Sequence, residues 1–319
     1  MKKIYKVMSS ATLAAMLLGG AAWGNAEAAT AKTTVKNTAL SSSAQKASNS
    51  ASVTQSGITL GLSKAIYDGN YVSITVKRSA KGLTGGITDG KYDSKTNEYI
   101  QPKGAISNLD ILIDGKSTKT FGNSMGTRPS VQWRAGANSD TALITLTDAS
   151  QLGGNIAAFP DKFKVTAKIT LEGVSKPYSL DIPIQKSATK PVVLKPNLTK
   201  KSGNLSMILN RVSLTSSSTR LQLILKGQDK NSNINYDFVD NQGNQLNMIS
   251  GNGSDENNKN GDFYYDFLLD GFGKNAKSFT IKPYKAEYMD DDSGRYKVDS
   301  NGEIVKNYMK NFEMTVSVK

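Results

Sequence analysis

"LSKAIYDGNYVSITVKRS", residues 62–79, places two apolar, alternating arms on either side of the tip Tyr67-Asp68-Gly69-Asn70. Val72, Ile74 and Val76 recur at every second position, which is the period of a β-strand with one buried face. Asp and Gly tolerate the positive φ angles that tight hairpin turns require. The stretch therefore predicts a β-hairpin that supplies core residues, and the tip is interpreted as turn geometry alone.

A second stretch, residues 209–226 ("LNRVSLTSSSTRLQLILK"), repeats this hairpin with two extra residues in the turn. Val72, Ile74 and Val76 then correspond to Leu221, Leu223 and Leu225. Four further matches follow in the same order: 109–116 with 236–244, 141–148 with 263–270, 163–173 with 279–288, and 178–186 with 312–319. A repeat with so long a period predicts two duplicated domains rather than a solenoid.

The rest of the chain after residue 56 has the texture of β-structure. Short alternating runs are broken by Gly, Asn, Asp and Ser, and no window of 12 or more residues shows a helical apolar period. The fold class predicted is all-β: two tandem immunoglobulin-like β-sandwich domains after a disordered N-terminal leader. The strands predicted in the first half are 58–66, 71–78, 108–114, 130–134, 141–147, 162–172 and 177–185.

Composition suggests how the chain is divided. Lys2, Lys3 and Lys6 precede an apolar run, and Ala26-Glu27-Ala28 follows it, which predicts a signal peptide cleaved after Ala28; a retained membrane anchor is the alternative. Few large apolar residues follow until residue 57, which indicates a disordered leader rich in Ser, Ala, Thr and Lys. The segments predicted are 1–28 signal peptide, 29–56 leader, 57–187 first domain, 188–203 linker with a short strand at 192–194, and 204–319 second domain.

Two missing residue types limit the chemistry. The chain has no cysteine and no histidine, which excludes thiol catalysis, a Ser-His-Asp triad and histidine-based metal sites. Its formal net charge is +13, which favours an anionic partner such as a cell-wall polymer, or serves solubility alone. Basic residues are not interleaved with aromatic ones as nucleic-acid binding requires, so no specific nucleic-acid partner is expected.

The opening hairpin also carries a family resemblance. "GITLGLSKAIYDGNYVSITVKRS" (57–79) resembles the start of a domain of unknown function common in Gram-positive exported and membrane proteins, which typically opens GI-x-v-x-v-x-x-v-i-y-D-G-x-x-l-x-i-x-y. The resemblance implies a β-sandwich ectodomain, often the extracytoplasmic part of anti-sigma-factor-like membrane proteins. It also implies a second β-rich domain, which residues 203–319 resemble, and it supplies no catalytic residues. No cytoplasmic domain or later transmembrane helix is recognised here, so signalling by this chain alone is not expected.

The strongest metal candidates lie in an acidic loop at residues 289–303. Asp290, Asp291, Asp292 and Asp299 could offer hard oxygen ligands to Ca²⁺, although their spacing is not that of an EF-hand. The alternative is a simple β-hairpin with Asn301-Gly302 at its tip. A second polar loop, 249–262, holds Asp255 and Glu256 and is interpreted as solvated. No other cofactor is predicted.

Exposed aromatic rings at the edge of a sandwich can stack on sugars. The candidates are Trp133, Tyr264, Tyr265, Tyr284 and Tyr288. Half of the residues on an alternating strand point inward, and large rings commonly fill cores. Because Tyr264 and Tyr265 are adjacent, a regular strand would point one of them outward.

Three functional hypotheses follow. The first is a non-enzymatic, secreted, envelope-associated protein that acts by binding or adhesion, retained near anionic wall polymer by its basic surface. The second is an extracytoplasmic sensing or regulatory module that acts with a membrane or envelope partner. The third is a carbohydrate-binding or carbohydrate-active protein, which as an enzyme would need two carboxylates facing each other across a cleft.

Overall fold

The computed structural model describes residues 51–228, 233–258, 260–273, 275–289 and 294–318. The described residues are organised in antiparallel β-sheets and contain no α-helix. Two short 3₁₀ turns lie at Thr118–Thr120 and Lys310–Phe312. Within these ranges no helix has the length and apolar character needed to span a membrane. The predicted all-β fold class is therefore confirmed.

The first repeat contains eleven strands within the described residues. They are β1 (Ser52–Gln55), β2 (Ile58–Tyr67), β3 (Val72–Ser79), β4 (Lys91–Asp93), β5 (Glu98–Ile100), β6 (Ile106–Ile113), β7 (Lys116–Ser117), β8 (Ser130–Ala135), β9 (Thr141–Thr147), β10 (Lys162–Leu171) and β11 (Tyr178–Gln185). All seven strands predicted for this half are present, and their ends differ from prediction by no more than two residues.

Two sheets of the first repeat pack face to face. One has the strand order β1-β2-β3-β9-β8, the other β11-β10-β6-β7, and β4 pairs with β5 in a separate hairpin. Alternate residues of both sheets share one buried cluster, which includes Ile74, Ile144 and Val165. The alternation seen in the opening hairpin is therefore the inner face of a sandwich.

The second repeat contains ten strands within the described residues. They are β12 (Val192–Leu194), β13 (Leu198–Ser202), β14 (Leu205–Leu214), β15 (Ser218–Lys226), β16 (Asn235–Asp240), β17 (Met248–Ser254), β18 (Phe263–Asp270), β19 (Ser278–Ala286), β20 (Lys306–Tyr308) and β21 (Met314–Ser317). One sheet has the order β12-β14-β15-β18-β17 with β13 also on β14, and the other has β16-β19-β20 with β21 also on β19.

The core of the second sandwich is richer in aromatic rings than that of the first. Tyr236, Phe238, Tyr265 and Phe267 contact one another with ring centroids 5.0–6.4 Å apart. The same buried cluster includes Met207 and Leu223 from one sheet and Phe279 from the other. Each sandwich thus has its own hydrophobic core.

The two halves of the described chain share a common strand order. β3 pairs with β9 as β15 pairs with β18, and β10 pairs with β6 and β11 as β19 pairs with β16 and β21. β2 is bulged between Leu62 and Lys64, and β14 is bulged at the equivalent place, between Leu209 and Arg211. The finer immunoglobulin-like assignment stays a prediction.

Two of the sequence matches are out of register. The turn between the paired residues Tyr67 and Val72 is as long as the turn between Leu214 and Thr219, so the second turn has no extra residues and Val72 corresponds to Thr219, not to Leu221. Leu146 lies opposite Val72 and Leu269 opposite Thr219, so Leu146 corresponds to Leu269 and not to Leu268. The match of 141–148 with 263–270 is therefore wrong by one residue. A shift of one residue exchanges the two faces of a strand, so the structure rather than the letters decides which side chains are equivalent.

Two predicted boundaries change. Residues 29–50 and the proposed signal peptide lie outside the described residues, but Ser52–Gln55, predicted as leader, pairs with β2. Half of the predicted linker is strand: β12 lies where a short strand was predicted, β13 was not predicted, and both pair with β14. Leu194 and Leu198 pack against the second core. Burying these apolar side chains is more favourable than leaving them exposed in an extended linker. Pro191 and Pro196 lie outside these edge strands, where proline is tolerated.

The two sandwiches meet at their hairpin tips. Asp68 is buried, and its Oδ1 accepts hydrogen bonds from the backbone of Asn70 at 2.9 Å and Tyr71 at 3.1 Å, which closes the turn. Its Oδ2 accepts hydrogen bonds from three hydroxyl groups of the second tip: Thr215 at 2.8 Å, Ser217 at 2.7 Å and Ser218 at 2.6 Å. The interpretation of this tip as turn geometry alone is therefore wrong.

A buried charge cluster lies beside the tips. The Arg220 guanidinium binds Asp266 of its own sandwich at 2.6 Å and Asp148 of the first sandwich at 3.2 Å. It also donates to the backbone carbonyl of Asn70 at 3.0 Å. Burial alone would raise the pKa of Asp148, but Arg220 and hydrogen bonds from Ser150 and Phe159 lower it below its usual value. Burial outweighs Arg220 at Asp266 and raises the pKa of that carboxyl.

This junction covers the outer face of the second sandwich. On β15 the outward-facing Arg220, Gln222 and Ile224 are all buried, as is Leu268 on β18. Gln222 donates to the carbonyl of Gln151, and Asn257 donates to that of Gly126 at 2.8 Å. Loops of the first sandwich therefore seal a sheet face that would otherwise be exposed to solvent.

Candidate functional site

The equivalent outer face of the first sandwich is open along β3, whereas Thr141 and Thr145 of the neighbouring β9 are buried. On β3 the core residues Val72, Ile74 and Val76 alternate with Ser73, Thr75 and Lys77, none of which is buried. The opposite side of this sheet already forms the core, so these side chains face outward. The first sandwich thus presents to solvent a sheet face that its counterpart in the second sandwich uses for the junction.

A cavity of about 530 Å³ lies on this open face. Strands β2, β3, β9 and β8 are neighbours in the sheet and bring together side chains that are far apart in the sequence. Its polar lining residues are Ser63, Thr75, Lys77, Arg134, Asn138 and Thr141. The size is within the range of about 300–1,000 Å³ that is usual for ligand sites.

The charge of the cavity is positive. Lys77 and Arg134 are both exposed, and the residues that line the cavity include no carboxylate. Lys64, also exposed, lies opposite Thr75 in the sheet. The acidic residue between Asn138 and Thr141 in the sequence is Asp140, whose carboxylate is 2.7 Å from the buried Arg78 guanidinium. Because Asp140 pairs with Arg78, its carboxylate does not neutralise Lys77 or Arg134.

One rim of the cavity is a tightly bonded turn. The Thr141 hydroxyl donates to the carbonyl of Asn138 at 3.0 Å and accepts from its backbone N–H at 3.1 Å. The Gly136 N–H donates to the Thr141 carbonyl at 2.8 Å. A Cβ at Gly136 would overlap the Thr141 side chain, so glycine permits this close approach. The rim therefore has a fixed shape.

This combination of groups suits an anion. Arginine binds phosphate oxygens with two parallel N–H donors, and lysine adds a compact positive charge. Hydroxyl groups from Ser63 and Thr75 and the amide of Asn138 can donate further hydrogen bonds. The lining thus combines two cations with several hydrogen-bond donors and contains no carboxylate.

The sequence did not single out Lys77 or Arg134. Lys77 could have been found, because it continues the outward-facing series Ser73 and Thr75. Arg134 could not, because its place beside Lys77 depends on β9 lying between β3 and β8. The order in which distant segments pair in a sheet leaves no local signal in the amino-acid sequence.

The structure does not bring the predicted calcium ligands together in the part that it describes. Asp290, Asp291 and Asp292 lie outside the described residues. Asp299 Oδ1 accepts the backbone N–H groups of Asn301 at 2.8 Å and Glu303 at 2.9 Å, so it closes the hairpin that was the alternative interpretation. No group of three acidic residues that could hold a metal ion occurs within the described ranges.

The polar loop at residues 249–262 contributes to the junction instead of to a metal site. Glu256 Oε2 accepts the Gly126 N–H at 3.3 Å, and the neighbouring Asn257 donates to the carbonyls of Gly126 and Leu152. Asp255 is exposed. The loop is therefore not simply solvated, because it contacts the first sandwich.

The aromatic candidates have different environments. Tyr265 is buried and its ring stacks on that of Phe267, while the adjacent Tyr264 lies on the other face, as strand alternation predicts. Tyr284 is half-buried beneath Lys306, whose Nζ is 4.8 Å from the ring centroid. Trp133 and Tyr288 are exposed, each by about two-fifths. The five rings do not form one platform, because they belong to both sandwiches.

Two carboxylates that lie close together beside Arg220 are closed to solvent. Asp148 and Asp266 share Arg220 and are both buried. Neither residue lines the cavity described above, nor a second cavity beside the β4–β5 hairpin, in which Asp89 is the one carboxylate. A glycosidase would need two carboxylates open to a substrate, about 5–9.5 Å apart.

Comparison with known proteins identifies part of the chain. Residues 192–316 match the model of a family of unknown function (DUF5643), and these residues correspond to the second sandwich. No curated protein matches the chain. Among solved structures it is similar to the conserved domain protein from Bacillus anthracis, with 14% identity, a TM-score of 0.50, and 84% of this chain and 89% of that chain covered. At that identity the similarity concerns the fold.

Proposed function

We propose that this chain is a non-enzymatic, exported protein of the cell envelope that binds an anionic polymer. The ligand would lie on the open outer face of the first sandwich. The observation that carries the proposal is the cavity in which Lys77 and Arg134 accompany hydroxyl and amide side chains without a carboxylate.

The overall charge supports the same ligand class. A formal net charge of +13 attracts polyanions over a distance of about one Debye length, roughly 8–10 Å at physiological salt. Attraction of that kind is not specific, whereas the cavity gives the polymer a defined place to bind. A wall polymer joined by phosphodiesters has the charge and the repeating phosphate groups that this site suits.

The non-enzymatic part of the proposal is supported by the chemistry of the residues. Without cysteine and histidine, catalysis would depend on carboxylates, lysine, serine or tyrosine. The cationic cavity offers no carboxylate to act as a general acid or base. The export part depends on the basic and apolar pattern of residues 1–28, which is typical of a signal peptide.

The test is binding to isolated cell walls. The full chain without residues 1–28 is mixed with walls that retain their phosphate polymer and with walls from which acid has extracted it. We expect retention on the first and loss from the second. Lys77→Gln with Arg134→Gln should weaken retention at physiological salt, because it removes both cations from the cavity.

The matched control is Lys200→Gln with Lys201→Gln, which removes the same charge from exposed positions of β13. Retention by the control should stay near that of the unchanged chain. If both double variants weaken retention equally, net charge and not the cavity binds the polymer, and the site proposed here is wrong. Equal retention on extracted walls would contradict the ligand class.

A further inference from the structure

A separate hairpin of the first sandwich carries an exposed aromatic surface. β4 and β5 pair only with each other among the described strands, so they project from the sandwich instead of extending its sheets. Tyr92 and Tyr99 lie directly opposite each other in this hairpin. Tyr99 is 61% exposed, which is the largest exposure of a described aromatic ring, and the adjacent Ile100 is 54% exposed.

The position of the Tyr99 ring is defined by Gly90. A Cβ at Gly90 would overlap Cε1, Cζ and the hydroxyl oxygen of Tyr99, so the ring lies against bare backbone. Gly90 does not have a positive φ, and its backbone therefore does not require glycine. The absence of a side chain at Gly90 permits the close approach of the Tyr99 ring.

Fixed polar groups surround the ring. A cavity of about 580 Å³ is lined by Tyr99 together with Thr88, Asp89, Lys91, Gln101 and Pro102. The Asp89 carboxylate is held by the Gly86 N–H at 2.6 Å, and Gln101 donates to the carbonyl of Ile106. A carboxylate has about four acceptor positions, so Asp89 keeps capacity for a ligand after this bond.

We propose that this cavity binds a glycan built of pyranose sugars. The apolar C–H face of a sugar ring would stack on the exposed face of Tyr99, since an aromatic side chain offers a flat apolar surface with a polar end. The sugar hydroxyl groups would bond to Asp89, Gln101 and Lys91. A few polar groups around an apolar floor are the usual composition of small-ligand sites.

The polar lining distinguishes a glycan from a protein partner. An interface with a protein needs a larger apolar patch than two tyrosines and one isoleucine provide. The cavity also differs from the cationic cavity, because it contains a carboxylate and shares none of its lining residues. Glycan binding here does not depend on the proposed function of the other face.

The experiment uses the full chain without residues 1–28, labelled with 3-fluorotyrosine and observed by fluorine NMR. The probes are the N-acetylglucosamine tetrasaccharide and maltotetraose, each added to about 10 mM, roughly ten times a millimolar dissociation constant. Tyr99→Phe identifies the Tyr99 resonance by its absence. We expect that resonance to shift and saturate with at least one probe, with little change when salt is raised.

Two variants test the geometry. Tyr99→Ala removes the ring, and Gly90→Ala displaces it while leaving tyrosine in place. Their affinities are measured from the proton resonances of the sugar, and each should be lower by about tenfold or more, the equivalent of about 1.4 kcal/mol. Tyr288→Ala, which removes an exposed tyrosine of the second sandwich, should bind as the unchanged chain does. Unfolding curves of the variants check that the sandwiches remain folded.

The proposal fails if the Tyr99 resonance does not move with either probe. It also fails if both variants at positions 90 and 99 bind as tightly as the unchanged chain. Binding that disappears at raised salt and in Lys77→Gln with Arg134→Gln would assign the sugar to the cationic cavity instead. None of these outcomes depends on whether isolated walls retain the protein.

Discussion

Asp68 shows how one side chain can serve two structures. One carboxylate oxygen closes the first hairpin turn and the other accepts three hydroxyl groups of the second sandwich. The turn could be predicted, since Asp-Gly between alternating arms is a local signal. The second role could not, because nothing near Asp68 in the sequence points to Thr215, Ser217 or Ser218.

Replacement of Asp68 by alanine should therefore cost more than the loss of a turn residue. Asp68→Ala leaves two backbone donors and three hydroxyl groups without their acceptor in a buried place. Hydrogen bonds to a charged acceptor contribute about 1.5–3 kcal/mol, so we expect the free energy of unfolding to fall by about 3 kcal/mol. The measurement is urea unfolding at neutral pH.

The control for this prediction is Asp93→Ala. Asp93 also closes a turn, by accepting the Lys95 N–H at 2.9 Å, but it lies in the projecting β4–β5 hairpin away from the second sandwich. Its removal should cost less than about 1 kcal/mol. Similar losses for both variants would mean that the contacts of Asp68 with the second tip contribute nothing measurable.

At the scale of elements, the connection between the sandwiches is packed against the first tip. Ser187 N–H donates to the Tyr67 carbonyl at 2.8 Å. Pro191 then passes Gly69, whose φ is +98°, and a Cβ at Gly69 would be 2.7 Å from Pro191 Cγ. The turn therefore needs glycine for two reasons, its backbone conformation and the space taken by proline.

Alanine at two glycines separates these reasons. Gly115, with a φ of +84°, has open space where a Cβ would be, so Gly115→Ala should cost only the left-handed strain of about 1–2 kcal/mol. Gly69→Ala has the same strain and also displaces Pro191, which should add at least about 1 kcal/mol. Urea unfolding of the two variants gives the difference. An equal cost would show that the connection moves aside freely.

The elements also show where sequence reasoning works and where it stops. Seven strands of the first sandwich follow from alternation, because one buried face leaves a clear period of two. β12 was predicted only as a short strand within a linker and β13 was not predicted, because the flanking prolines and the lysines of this segment obscure that period. The match of β9 with β18 was out by one residue, because most residues of both strands are buried, so neither shows a clear period of two.

At the scale of the whole molecule, the two sandwiches are joined by a buried ion cluster as well as by the chain. Arg220, Asp266 and Asp148 are each less than a tenth exposed. Removing one member of a buried ion cluster leaves an unpaired buried charge and strongly lowers the stability of the folded protein. The two cores are separate, but we expect this cluster to make them unfold together.

Arg220→Met tests that expectation. The substitution leaves Asp148 and Asp266 buried without their guanidinium, at a cost of about 3–5 kcal/mol. In calorimetry the unchanged chain should show one transition, and the variant should show two, since the sandwiches no longer support each other. Lys200→Gln with Lys201→Gln is the control and should keep one transition. A single transition in Arg220→Met would contradict the coupling.

The candidate site belongs to this scale too, and the sequence could provide only its ingredients. Positive net charge and the absence of histidine and cysteine are properties of composition and were available from the letters. The cavity depends on which of two equivalent sheet faces remains open. That choice follows from the junction, which joins residues as far apart in the sequence as Asp68 and Ser218.

The meeting of the two tips has a consequence for how strong the junction needs to be. Counted from the matching bulges, Thr215 is the counterpart of Asp68, so equivalent positions of two related sandwiches touch each other. Two free copies of one sandwich could make such a contact only by diffusion and at high concentration. A short tether places each tip at an effective concentration in the millimolar range of the other. Duplication in one chain can therefore hold closed a contact too weak to assemble a dimer.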